Sequence, residues 1–302
     1  MARIIRKRYK RRRRYGARAL LLLIAALLLC LILPSTGTER DGQPSPELAA
    51  EQTLQVHFID VGQGDAQLLI CEGQTLLLDG GTPENADGLS AYLREHGVRR
   101  LDYIAASHAH SDHVGGLSGP IADLEIAQAL ATLDQPVNPS FEIFLEELQQ
   151  RRIPLTVIGS GDSLTLGGAE ISVLAPAEGG DGGNDYSLVL RVVYGQTVFL
   201  FTGDCEYQAE QWLLDSGAPL SADVLKVGHH GSSDASGYRF LREVAPEFAV
   251  ISCGSGNDYG HPHEQLLSRL RDAEVCLYRT DIHGHIVFVS DGEQISVSCQ
   301  YD

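Results

Sequence analysis

Between Ser107 and His113 the chain reads Ser-His-Ala-His-Ser-Asp-His, so His108, His110, Asp112 and His113 bring three imidazoles and a carboxylate into six residues. As core side chains, that many imidazoles would need a hydrogen-bond partner for every ring nitrogen. A divalent cation satisfies them together, because imidazole nitrogen and carboxylate oxygen are ordinary ligands of zinc and its neighbours. In extended backbone alternate side chains share a face. His108 and His110 can therefore hold one cation while Asp112 and His113, around the bend, face another. The spacing predicts two neighbouring metal centres, with a solvated polar turn as the plain alternative. Such a pair, about 3.5–4 Å apart, lowers the pKa of bound water toward about 7 and stabilises both the attacking and the leaving oxygen. Asp112 is then a metal ligand and a candidate proton acceptor. No Gly-x-Ser-x-Gly elbow offers a competing nucleophile, and Gly62-Gln63-Gly64-Asp65 is too short for a dinucleotide fingerprint.

Other polar residues fall at the ends of apolar runs. Asp79 ends Leu76-Leu77-Leu78 and precedes Gly80-Gly81, a setting for a carboxylate that orients a ligating imidazole or for a simple turn aspartate. Asp204 follows Val198–Phe201 in the same manner and also precedes a helical stretch, Glu206 to Ser216, that it could cap. His229 and His230 follow the run Val224–Val227, and His261 lies in a glycine-bearing loop as a candidate for lining the cleft. His57, His96, His263, His283 and His285 have no comparable setting and read as surface or core residues.

Positioning these groups requires strands and helices in alternation. Strand-like runs occur at Leu54–Asp60, Ala66–Cys71, Thr75–Asp79, Leu101–Ala106, Ala169–Leu174, Leu188–Val193, Thr197–Phe201, Val224–Val227, Phe248–Ser252 and Ile286–Val289. Helical patterns fall at Gly88–His96, Phe141–Arg151, Tyr207–Ser216, Ala235–Val244 and His263–Asp272. The alternation predicts an α/β layered architecture, and a β-rich half up to about Leu174 followed by a second suits a pseudo-duplicated sandwich.

Charge divides the chain sharply. Ten of the 23 Lys and Arg residues lie in the first eighteen positions, where no acid occurs; the rest sets 13 basic against 40 acidic residues, a formal charge of −27. An uncharged apolar run, Ala19 to Leu33, follows and ends at Pro34. Counted from Tyr15, with Arg18 snorkelling, it reaches the roughly 20 residues of a spanning helix, and it lacks a clear cleavage signal. The expected organisation is a basic cytoplasmic tail (1–18), a transmembrane anchor (19–34), a solvated linker (35–52) and a folded domain (53–302). Positive-inside logic makes this a single-pass protein of the cell membrane with its acidic body outside. A cleaved signal peptide and a secreted form are the alternative. A body this acidic lacks the footprint of a nucleic-acid binder. Apart from Cys30 in the apolar run, five cysteines remain without CxxC spacing, so no disulfide framework is expected; Cys253, Cys276 and Cys299 read as small core residues.

His-x-His-x-Asp-His resembles the signature of the metallo-β-lactamase superfamily. Phe58-Ile59-Asp60-Val61-Gly62-Gln63-Gly64-Asp65, Leu78-Asp79-Gly80-Gly81, Phe201-Thr202-Gly203-Asp204, Lys226-Val227-Gly228-His229-His230-Gly231-Ser232 and Tyr259-Gly260-His261-Pro262 are similar to the hydrolase domain of the ComEC family of DNA-uptake channel proteins. They occur in that family's order, over about Thr53 to Val289. The resemblance implies an αββα four-layer sandwich and two divalent metal ions, zinc first among them. It makes His108, His110, Asp112 and His113 ligands, Asp204 the bridging carboxylate, and one of His229 and His230 a further ligand. His229 is preferred, with His230 as a proton donor or substrate contact.

Many superfamily members supply another His between the first cluster and the bridging Asp, whereas this chain has none from Val114 to Val227. Asn184-Asp185-Tyr186-Ser187 stands there instead, so Asn184 or Asp185 completes the coordination, or one site binds metal weakly; an oxygen-richer set also favours manganese. The function implied is a metal-dependent hydrolase whose metal-bound hydroxide attacks phosphodiesters, in nucleic acid or in the cell envelope. The alternative is a catalytically degenerate metal-binding or scaffold module of a competence or envelope system. Membrane contact is expected through the anchor, and nothing in the sequence calls for an obligate protein partner.

Overall fold

The computed structural model describes residues 52–176 and 181–302. The expected tail, anchor and linker up to residue 51 lie outside the described residues, among which no helix is long and apolar enough to cross a membrane. The described chain opens on three antiparallel strands, β1 (Leu54–Phe58), β2 (Gln67–Cys71) and β3 (Gln74–Leu78). Helix α1 (Ala86–Glu95) returns it to β4 (Arg100–Ala105), parallel to β3. Short helices α2 (Ser111–Val114) and α3 (Ser118–Asp123) lead to β5 (Glu125–Ala131), and α4 (Pro139–Arg151) leads to β6 (Leu155–Val157). A second sheet begins with β7 (Ser163–Leu166), β8 (Ala169–Ala175), β9 (Val189–Tyr194) and β10 (Thr197–Phe201), all antiparallel. It continues with parallel strands β11 (Val224–Lys226), β12 (Phe248–Ile251) and β13 (Cys276–Arg279), connected through α5 (Tyr207–Ser216), α6 (Tyr238–Val244) and α7 (Glu264–Asp272). After α8 (Thr280–His283) the chain returns to the first sheet as β14 (Ile286–Ser290) and β15 (Ile295–Cys299). The sheet orders are β15-β14-β1-β2-β3-β4-β5-β6 and β13-β12-β11-β10-β9-β8-β7.

Alternation along the strands sorts side chains into layers. Val56, Phe58, Leu69 and Leu76 of the first sheet meet Ile171, Leu190, Val192 and Phe201 of the second in the central core. The opposite faces of the same strands carry Leu68, Leu77 and Ile104, which pack on Leu89 and Leu93 of α1 and Phe141 and Leu148 of α4. On the far side, Leu200 and Leu225 meet Leu213 of α5, Phe240 of α6 and Leu266 of α7. Helix, sheet, sheet, helix is the resulting order, and strands buried on both faces explain the near-continuous apolar runs of the sequence.

Three expectations need correction. The chain changes sheets after β6, well before Leu174, and its last two strands rejoin the first sheet beside β1. Helix α6 starts at Tyr238 instead of Ala235, because Ser236 has φ +51° and the Glu210 carboxylate holds the backbone N–H groups of Ser236 and Gly237 in a turn. Cys253 is buried, but Cys276 is exposed and Cys299 half-buried, since β13 and β15 are edge strands. Cys71 and Cys205 are buried and free.

Candidate metal centre

The polar residues singled out by type converge where the parallel strands of both sheets end, the usual place for a site in layered α/β folds. Asp79 follows β3, His108 and His110 follow β4, Asp204 follows β10, and His229 and His230 follow β11. Close backbone packing draws these loops together. Gly64 has φ +134°, and a Cβ there would lie 2.3 Å from the Asp112 carbonyl oxygen, so only glycine lets the first loop reach the histidine loop. His110 is extended (φ −70°, ψ 151°), and α2 begins immediately after it, turning Asp112 and His113 inward.

Two imidazoles meet at the centre. His113 Nε2 and His230 Nε2 lie 3.2 Å apart, and Asp204 Oδ2 is 3.3 Å from each. Asp112 Oδ2 is 3.3 Å from the same His230 nitrogen. The other nitrogen of each ring is engaged from behind. His113 Nδ1 lies 2.9 Å from Asp79 Oδ2, an acceptor, so Nδ1 carries a hydrogen and Nε2 is the nitrogen turned to the centre. Asp79 is itself fixed by the Ser107 N–H, which donates to Oδ1 at 2.7 Å. His230 Nδ1 is likewise 3.1 Å from the Ser252 carbonyl oxygen and 3.3 Å from Asp65 Oδ1. His108 adjoins this group, its ring centroid 4.1 Å from that of His113, and its Nε2 lies 3.0 Å from His110 Nδ1.

Burial alone would lower the pKa of His113 and of His230, yet the carboxylates around them hold both well above the ordinary imidazole range: Asp204 and Asp79 for the first, Asp204 and Asp65 for the second. Burial would raise the Asp204 pKa, and His230 and His113 hold it well below the usual carboxylate range. His108 is pushed well below its ordinary value by burial, then by His113. The centre therefore demands positive charge. Asp204 Oδ1 is buried without a hydrogen-bond partner, and a divalent cation that displaces the Nε2 protons fits this donor set.

The His229–His230 pair is arranged opposite to the sequence preference. His230 is buried at the inner position, whereas His229 turns outward: its Nδ1 is 3.1 Å from Glu206 Oε1 and 3.5 Å from Asp234 Oδ1, and its Nε2 is 3.9 Å from Asp204 Oδ2. Consecutive left-handed residues cause this divergence, with φ +47° at His229 and +50° at His230. Asn184 Nδ2 donates to Glu206 Oε1 at 2.6 Å, and Asp185 Oδ1 accepts the N–H groups of Glu206 and Ala209. Asp185, not Asp204, thus serves the start of α5. His261 lies at the rim, 5.5 Å from His229 between ring centroids, its pKa lowered to about 4 by burial and by His229.

Two residues beside the centre were not singled out by the sequence, although both stand in its family-like motifs. Asp65 and Lys226 form a fully buried ion pair at 2.6 Å behind His230. Lys226 Nζ also donates to the Val227 carbonyl oxygen. Asp65 approaches the hydrogen-bearing nitrogen of His230 and is neutralised by Lys226; with His113, Asp204 and His230 it also forms a buried group whose ligand atoms all lie within 4.8 Å of one another, so its carboxylate orients that ring and stands within reach of the centre. The only signal was a lysine inside an otherwise apolar strand.

Residues 59–255 match the family model of the metallo-beta-lactamase superfamily, and the chain belongs to that superfamily. Among curated proteins it is 29% identical over 253 residues to ComE operon protein 3 of Bacillus subtilis (78% of this chain, 33% of that protein). It is 35% identical over 248 residues to competence protein ComA of Neisseria gonorrhoeae (80% and 33%). The chain thus matches about a third of the length of these relatives. Among solved structures, YhfI of Bacillus subtilis, a metallo-beta-lactamase fold protein, superposes with a TM-score of 0.52 at 16% identity, covering 80% of this chain and all of that one. CmlA of Streptomyces venezuelae, a diiron beta-hydroxylase, gives 0.50 at 15% identity over 80% and 54%. Both likenesses concern the fold.

Proposed function

We propose that the protein is a metal-dependent hydrolase of phosphodiesters, held at the outer membrane face by residues 19–34. The observation that carries this reading is the convergence of His113 Nε2, His230 Nε2 and Asp204 Oδ2 within 3.2–3.3 Å, beside the His108–His110 pair. In this assignment His108 and His110 would hold one cation, Asp112, His113 and His230 would hold the other, and Asp204 would serve both. Two bound divalent cations supply an acidified water and neutralise phosphoryl oxygens, with zinc favoured and manganese admitted by the oxygen ligands. Asp112, a quarter exposed, accepts the proton of the attacking water. His229, whose Nδ1 lies beside Glu206 and Asp234, has its Nε2 3.9 Å from Asp204 Oδ2 and would deliver a proton to the leaving oxygen. The competence proteins among its relatives support a phosphodiester over a lactam.

The test strips the full chain with a chelator, restores zinc or manganese, and follows bis(p-nitrophenyl) phosphate, a phosphomonoester and a lactam. Turnover of the diester is expected to return with metal and to exceed that of the other two. Full diester turnover by metal-free protein, or none at any metal content, overturns the proposal.

A further inference from the structure

A cavity of about 590 Å³ opens beside the metal centre, with His110 in its wall, a size within the roughly 300–1,000 Å³ of small-molecule sites. Its charged lining, among the described residues, is uniformly acidic: Asp181, Asp185 and Glu206, with no lysine or arginine. Among the described residues none of these carboxylates pairs with lysine or arginine; Glu206 meets the His229 ring and accepts from Asn184 Nδ2, while Asp181 and Asp185 accept backbone N–H groups. Two aromatic residues, Tyr186 and Trp212, complete the wall, Trp212 more than a third exposed. Asn184, also in the wall, has a buried Oδ1 without a partner.

Carboxylates without counter-ions repel a second phosphate, and aromatic faces attract organic cations. An anion at the metals and a cation in the cavity together describe a zwitterion. We propose that this cavity is the subsite for an ammonium-bearing group, of the choline or ethanolamine type, carried by the phosphodiester that the metal centre cleaves. The proposal rests on the hydrolase reading for the cleavage but not for the binding. It also accounts for substrate recognition by a body of formal charge −27, on which a polyanion finds little attraction.

Trp212 is the only tryptophan in the chain, so its fluorescence reports on this cavity directly. The experiment titrates the full chain in maltoside detergent with choline and with its neutral isostere 3,3-dimethylbutan-1-ol. Choline is expected to quench or shift the emission and to bind at least tenfold more tightly than the alcohol. Tyr186→Leu is expected to weaken choline binding by about 2- to 30-fold, the range of a cation–π contact, and Asp181→Asn to weaken it several-fold. Both variants are expected to leave bis(p-nitrophenyl) phosphate turnover unchanged. In the second arm, p-nitrophenyl phosphorylcholine is expected to exceed p-nitrophenyl 3,3-dimethylbutyl phosphate at least tenfold in kcat/KM; phosphatidylcholine vesicles and soluble glycerophosphocholine then distinguish a lipid source from a soluble one. Equal binding of choline and the alcohol, or binding indifferent to both substitutions, overturns the subsite even if diesters are hydrolysed. Selective choline binding without hydrolysis of any diester overturns the hydrolase reading and leaves the subsite standing.

Discussion

Asp79 has no route to the centre except through the ring it holds. Its Oδ2 fixes the His113 tautomer and its Oδ1 is tied to the Ser107 N–H, so replacement by Asn keeps the shape and loses the charge. Asp79→Asn is expected to lower metal affinity by about 10–100-fold, read by competition with a chromophoric chelator, while circular dichroism and melting stay near those of the parent. Unchanged affinity would remove Asp79 from the account. This residue was legible because a carboxylate between a leucine run and two glycines must emerge at a strand end. The inward turn of His230 and the outward turn of His229 were not, since they depend on two successive left-handed residues whose effect no neighbouring side chain announces. Asp65 and Lys226 were hidden for another reason: their pairing is made by the approach of two sheets, and each alone looks like an ordinary motif residue.

At the scale of elements, Asp185 joins the second sheet's loop to α5 by accepting the N–H groups of Glu206 and Ala209, donors that the first turn cannot satisfy internally. Asp185→Ala is expected to cost about 0.5–2 kcal/mol in guanidinium unfolding; no measurable loss would mean that water serves those donors equally well. The apolar strands of both sheets were readable from composition, because burial on two faces leaves little besides Val, Leu, Ile and Phe. Strand β5 carried no such signal. Its sequence, Glu-Ile-Ala-Gln-Ala-Leu-Ala, is made largely of good helix formers, and parallel pairing with β4 and β6 overrides that preference. The short strands β6, β7 and β13 lie at or next to sheet edges, where half-exposed positions admit polar residues and blur the alternation.

Across the whole molecule, His57 of β1 is packed with Tyr92 and His96 from α1 and its end, and Tyr92 in turn packs on His285 before β14, linking the beginning of the described chain to its final hairpin. Burial, then the neighbouring His96 and His285, push its pKa down to about 3. The fold thus favours neutral His57, while the unfolded chain takes up a proton near the ordinary value of about 6.5. The resulting stability is fully present above that value and is lost as pH falls toward 3. His57→Asn, which keeps an acceptor for the Tyr92 hydroxyl, is expected to flatten the decline of melting temperature between pH 6.5 and 4; identical profiles would show that other groups govern acid sensitivity. The formal charge of the body and the layered core were readable from the sequence, whereas this cluster joins residues that individually read as surface or core. The claim on which the functional reading depends is that the inner histidine and the bridging aspartate hold metal. Elemental analysis of full chain equilibrated with zinc and passed through desalting resin tests it most directly. The wild type is expected to retain at least one equivalent, His229→Ala to keep it, and His230→Ala and Asp204→Ala to lose most of it. Wild-type protein carrying far less than one equivalent, or His230→Ala retaining the full amount, would contradict the account.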